Sequence, residues 1–167
     1  METSQTWDLY QATTQKHTFE SNSVEDLASR GDLKSLVEKK LQSRELNQRD
    51  RFGFTPLMVA AYAQRVDVVK YLLELGADPN ITDFDGNTVL MGVTFKGNVE
   101  LARLLLQYQA DPEHHNLRGL NVRDLAVMFD QQEILRLVDR YTDAKSWGQT
   151  YSVLELYTGL NRKRMAS

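Results

Sequence analysis

Three glycines, Gly53, Gly86 and Gly119, stand 33 residues apart, and an aspartate or asparagine precedes each by three positions: Asp50, Asp83 and Asn116. Such a period means one small unit copied along the chain. A unit of about 33 residues cannot bury its own apolar face, so each copy must lay that face against the next. The 167 residues have room for about four or five such units and none for a second globular domain. Hydrophobic residues make up 41% and charged residues 26%, the ordinary mixture of a folded chain rather than a disordered one.

Aligned at this period, the copies read Asp50-Arg51-Phe52-Gly53-Phe54-Thr55-Pro56-Leu57, Asp83-Phe84-Asp85-Gly86-Asn87-Thr88-Val89-Leu90 and Asn116-Leu117-Arg118-Gly119-Leu120-Asn121-Val122-Arg123. Each opens with a turn, for which glycine supplies positive φ. Thr55, Thr88 and Asn121 then stand where a side-chain oxygen caps a helix. Pro56 occupies the first helical position, where a missing N–H costs nothing. A second helix follows, with apolar residues at three- and four-residue steps: Val66, Val69, Leu72 and Leu73, then Val99, Leu101, Leu104 and Leu105, then Ile134, Leu137 and Val138. It ends in Gly76-Ala77-Asp78-Pro79-Asn80 and, one period later, in Gln109-Ala110-Asp111-Pro112-Glu113. Glycine followed by proline stops a helix. Gln109 in the glycine position predicts strain there, or a helix that ends differently.

On Gly53-Phe54-Thr55-Pro56-Leu57 with Ala60-Ala61, on Val69 to Leu73 and on Gly76-Ala77-Asp78-Pro79-Asn80, residues 50–141 resemble ankyrin repeats. The resemblance implies an all-α solenoid of about four helix-turn-helix units with short β-turn hairpin tips, and a concave partner surface formed by the tips and first helices. Family members often carry histidine where this chain has Met58 and Met91, so packing must replace the hydrogen bonds built on it.

Run backwards, the register makes residues 21–49 a divergent first repeat with a polar outer face, suited to capping an open-ended stack. Ser23 with Asp26 is its capping signal. Repeats at 50–82, 83–115 and 116–141 follow. Arg123, standing where Leu57 and Leu90 do, suits an end unit facing water or the tail. Residues 142–167 are read as an extension: a connection through 148, a short amphipathic helix over 152–160 with Val153, Leu154, Leu156, Tyr157 and Leu160, and a basic tail. That helix is read as a lid over the last repeat, or alternatively as a docking element. Residues 1–20 are polar and are expected to be disordered or packed on the cap.

Used as a ruler, the register implies that the groove is faced by Arg51, Phe52, Phe54, Tyr62 and Ala63, by Phe84, Asp85, Asn87, Phe95 and Lys96, and by Leu117, Arg118, Leu120, Met128 and Phe129. Aromatic and apolar side chains among arginines are the composition of a protein interface rather than of a solvated face. Phe52, Tyr62, Phe84, Phe95 and Met128 are the expected anchors, with Arg51, Lys96 and Arg118 making charged contacts.

Little catalytic chemistry is available. There are no cysteines and three histidines, His17, His114 and His115. The adjacent pair at a turn tip has no second ligand pair at zinc spacing. No phosphate-binding glycine loop occurs. The expectation is no enzyme activity, no cofactor and no metal. A formal net charge of −3 sets up no overall field toward nucleic acid or anionic lipid, and the start of the chain lacks a leader pattern. A cytoplasmic protein, monomeric when alone and binding another protein, is the resulting expectation. It would act as a stand-alone adaptor, inhibitor or immunity-type binder, or alternatively as an accessory subunit that completes or localises an enzyme.

Overall fold

The computed structural model describes residues 20–146. Among them the chain folds as helical pairs: α1 (Val24–Arg30) with α2 (Leu33–Lys39), α4 (Pro56–Tyr62) with α5 (Val66–Glu74), α6 (Val89–Lys96) with α7 (Val99–Gln107), and α8 (Val122–Met128) with α9 (Gln132–Ser146). A four-residue helix, α3 (Ser43–Leu46), follows α2. First helices pack in the order α1, α4, α6, α8, and second helices in the order α2, α5, α7, α9. This is the expected all-α repeat solenoid, and its core runs continuously from Val24 to Tyr141.

The caps form as the residues dictate. Thr55 Oγ1 accepts from the Met58 N–H, Thr88 Oγ1 from Met91 and Asn121 Oδ1 from Asp124. Each cap satisfies one of the helix's orphan donors, which is worth about 1 kcal/mol. Ser23 caps α1 in the same way, while the Asp26 carboxylate accepts from the Asn22 N–H. Met58 and Met91 are fully buried, so packing does fill the histidine positions.

Two ladders of left-handed backbone keep the period. Gly53, Gly86 and Gly119 have φ of 88°, 78° and 74°. The first helices end at Gly31, Gln64, Gly97 and Asp130, again 33 residues apart, with φ of 75°, 57°, 71° and 53°. Gln109 adopts φ 64°, and Ala110 donates to the Leu105 carbonyl as Ala77 donates to Leu72. The second-helix ending is therefore unchanged, and Gln109 bears the strain that Gly76 avoids.

One feature differs from expectation. The segment expected to connect onward from residue 142 is helical as far as Ser146, because α9 continues past Tyr141. Its last side chains, the 152–160 helix and the N-terminal segment lie outside what the structure describes. The hairpin tips are the expected turns: an isolated antiparallel bridge pairs Thr82 with Thr88, and no extended ladder occurs among the described residues.

Candidate interaction surface

Each turn tip is built by one side chain. Asp50 Oδ1 accepts from the N–H groups of Phe52 and Phe54, Asp83 Oδ1 from Asp85 and Asn87, and Asn116 Oδ1 from Arg118 and Leu120. The backbone closes the same loop, with Asp50 donating to Phe54, Asp83 to Asn87 and Asn116 to Leu120 at 2.9–3.0 Å. An acceptor three positions before the glycine is what the turn needs, which is why only aspartate and asparagine appear there.

The tips are also tied to one another. A Cβ at Gly53 would meet the Phe84 ring and backbone at 2.9 Å, and one at Gly86 would meet the Leu117 backbone at 2.9 Å. Leu117 donates to the Asp85 carbonyl at 3.1 Å, and His114 Nε2 lies 3.1 Å from the Gly86 carbonyl. Asn116 Nδ2 donates to Asn87 Oδ1, and Asn87 Nδ2 to Asp83 Oδ2, at 2.8 and 3.1 Å. That chain of donors runs one way and ends on a carboxylate. Burial pushes the Asp83 carboxyl above its ordinary range against the pull of the Asn87 bonds, with Asp85 adding to the rise. Phe84 and Leu117 are thereby held while their outer faces stay 62% and 80% exposed.

The fifteen positions given by the register divide by this geometry. Arg51, Phe84, Asp85, Leu117, Arg118 and Met128 are exposed. Phe52, Ala63, Phe95, Lys96, Leu120 and Phe129 are half-buried. The Arg51 guanidinium lies over the Phe52 ring, 4.7 Å from its centroid, and Phe95 meets Phe129 edge to face at 4.7 Å. Phe54, Tyr62 and Asn87 are buried, so they serve the stack instead of a surface. Asn87 is a link in the donor chain, and Phe54 packs edge-on against Tyr62 with centroids 6.0 Å apart. Tyr62 is buried because α6 has Gly92 opposite it: a Cβ there would lie 2.0 Å from the ring. Burial, helped by Asp83, raises the Tyr62 hydroxyl well above its usual pKa. Gly92 was not singled out from the sequence, although a lone glycine inside an apolar helical run is the signal for such a close approach.

Among the described residues no group of three or more histidine, aspartate or glutamate side chains could hold a metal ion. None of the described helices is long and apolar enough to cross a membrane.

Comparison with known proteins finds ankyrin repeats in the middle of the chain. A sequence model of ankyrin repeats in many copies matches residues 39–90, and a model of the ankyrin repeat matches residues 85–117. Human ankyrin repeat family A protein 2 is 43% identical over 61 residues, 36% of this chain and 20% of that protein. Human DNA-binding protein RFXANK is 42% identical over 65 residues, 38% of this chain and 25% of that protein. Mouse NF-kappa-B inhibitor delta is 51% identical over 43 residues, 26% of this chain and 13% of that protein. The matched stretches thus span about a quarter or less of these relatives.

Proposed function

The chain carries ankyrin repeats, and we propose that it is a non-enzymatic module that binds a partner protein across its turn tips and first helices. The observation that carries this reading is the pair Phe84 and Leu117. Large apolar side chains on successive tips stay mostly in water although the fold grips their backbones. Exposing them is unfavourable by the hydrophobic effect unless a partner covers them. Met128 extends the apolar surface on the first-helix side, and Arg51, Asp85 and Arg118 supply charge around it. Because the tips are already tied together, little conformational entropy remains to be lost on binding.

The protein would work in the cytoplasm as an adaptor, inhibitor or immunity-type binder. Mouse NF-kappa-B inhibitor delta, an inhibitor by name, shares 51% identity over its matched stretch, which supports inhibition as one form of the role. Affinity capture with wild type and with Phe84→Ala/Leu117→Ala tests the surface. The variant should keep its helical circular dichroism and lose the partner. An unchanged set of captured proteins would remove the tips from the interface. Stoichiometric loss of the partner's activity on binding would mark an inhibitor, and retained activity an adaptor.

A further inference from the structure

The exposed charges are sorted by sign along the stack. Between residues 31 and 49 the exposed cations are Lys34, Lys39, Lys40, Arg44 and Arg49, and Glu38 is the one exposed carboxylate. The other two acids of this stretch are turned to capping. Asp32 accepts from the Ser35 N–H and hydroxyl at the start of α2, and Glu45 accepts from the Gln42 N–H at the start of α3. Their charge is thus drawn back to the backbone while the cations reach water. Among the described residues none of these five cations forms an ion pair, and the Lys39 ammonium donates to the Asn22 carbonyl at 3.1 Å.

The patch is compact and it is bounded. Helix α2 has seven residues, about 10 Å of length, and Arg44 follows Lys40 by four residues. Leu36 fills the buried side of α2, whereas Val37 is 49% exposed among the cations. Past this end the sign reverses. From 66 to 115 the exposed carboxylates include Asp67, Glu74, Asp78, Asp85, Glu100 and Asp111, and Lys70 is the one exposed lysine or arginine. Asp67 and Glu74 belong to α5, the helix on which α2 packs.

We propose that the α2 and α3 end of the stack is a second docking surface, and that its occupant is a short acidic segment of a partner protein with an apolar residue among its carboxylates. Charge complementarity sets the sign of the partner. Three features set its class. A nucleic acid duplex or a lipid surface would extend past the patch onto the carboxylates of α5, where like charge repels it, whereas a short segment ends within the patch. No aromatic residue stands between residues 31 and 49, so single-stranded bases find no stacking platform there. Val37 offers apolar surface that a peptide side chain covers and a phosphate does not. Neither Phe84 nor Leu117 belongs to this surface, so it is tested apart from the turn tips.

The test is fluorescence anisotropy on the full chain at low ionic strength. The probes are two labelled short peptides, one all glutamate and one glutamate with two central leucines. Both should bind wild type, the leucine peptide about fivefold more tightly, and Val37→Ser should remove that advantage. Lys40→Glu/Arg44→Glu should weaken both peptides by about tenfold or more. Lys70→Glu/Arg136→Glu changes the net charge equally at two other exposed sites and should weaken them by less than about threefold. Phe84→Ala/Leu117→Ala should bind as wild type does, and circular dichroism checks that every variant keeps its helices. Failure of both peptides to bind wild type would overturn the proposal, as would equal loss in the two charge variants, which marks a response to net charge alone. Tighter binding of a short DNA duplex or of phosphatidylserine vesicles than of either peptide would overturn it in favour of those partners. A missing leucine advantage would remove the apolar contact from it.

Discussion

At the scale of single residues, this stack depends on pairs of side chains that belong to different repeats. Gly92 costs α6 about 1 kcal/mol of helix propensity relative to alanine, and in return the Tyr62 ring lies where a Cβ would be. Gly92→Ala should therefore destabilise the protein by about 1–3 kcal/mol through overpacking. In a Tyr62→Leu background the same change should become neutral or stabilising. Urea unfolding of all four proteins checks this sign reversal; the same effect in both backgrounds would show that the two sites do not couple. Asp83 yields a second prediction. Its carboxyl titrates above the ordinary value in the folded state, so the folded form binds the proton more tightly than the unfolded form. Stability from this group is thus fully present below the unfolded pKa and is lost as pH rises through the folded one. The melting temperature of Asp83→Asn relative to wild type should accordingly be higher at pH 7 than at pH 3.5. A difference independent of pH would remove Asp83 from the linkage. The acceptor at each tip was legible from the Asp-x-x-Gly spacing because the turn is local chemistry. The fate of Tyr62 was not, because it depends on a side chain missing thirty residues away.

At the scale of elements, helix starts were readable and helix ends less so. A cap acts within three residues, so Thr55, Thr88 and Asn121 announce α4, α6 and α8. Ends depend on which residue tolerates left-handed backbone, and here glutamine and aspartate share that duty with glycine. Gln109→Gly should stabilise the protein by about 1 kcal/mol, since it removes a left-handed penalty of about 1–2 kcal/mol against a smaller gain in unfolded-state entropy. Its only side effect to exclude is at Asn80, whose Nδ2 donates to the backbone carbonyl of Gln109 and keeps that acceptor in the variant. A rise in melting temperature of a few degrees checks this, and no rise would mean the strain is relaxed elsewhere. The run of α9 to Ser146 escaped the periodic reading because the repeat register ends before it does.

At the scale of the whole molecule, the described repeats pack chiefly on their neighbours in sequence, so stability is a sum of unit and interface contributions, and among the described repeats the middle ones, packed on both sides, are held more firmly than the first. Amides of α4 and α6 should exchange at least about tenfold more slowly than those of α1 and α2. Uniform protection would mean that the array opens only as one body. The sequence by itself determined the repeat, its turns and its caps, because all of these follow from chemistry within one period. Only the tertiary structure decided which register positions reach water. That outcome rests on the size of whatever faces a side chain from the next repeat: Gly92 draws Tyr62 inward, an acceptor at Asp83 draws in Asn87, and the backbones of Gly53 and Gly86, pressed from beneath, leave Phe84 and Leu117 standing at the surface.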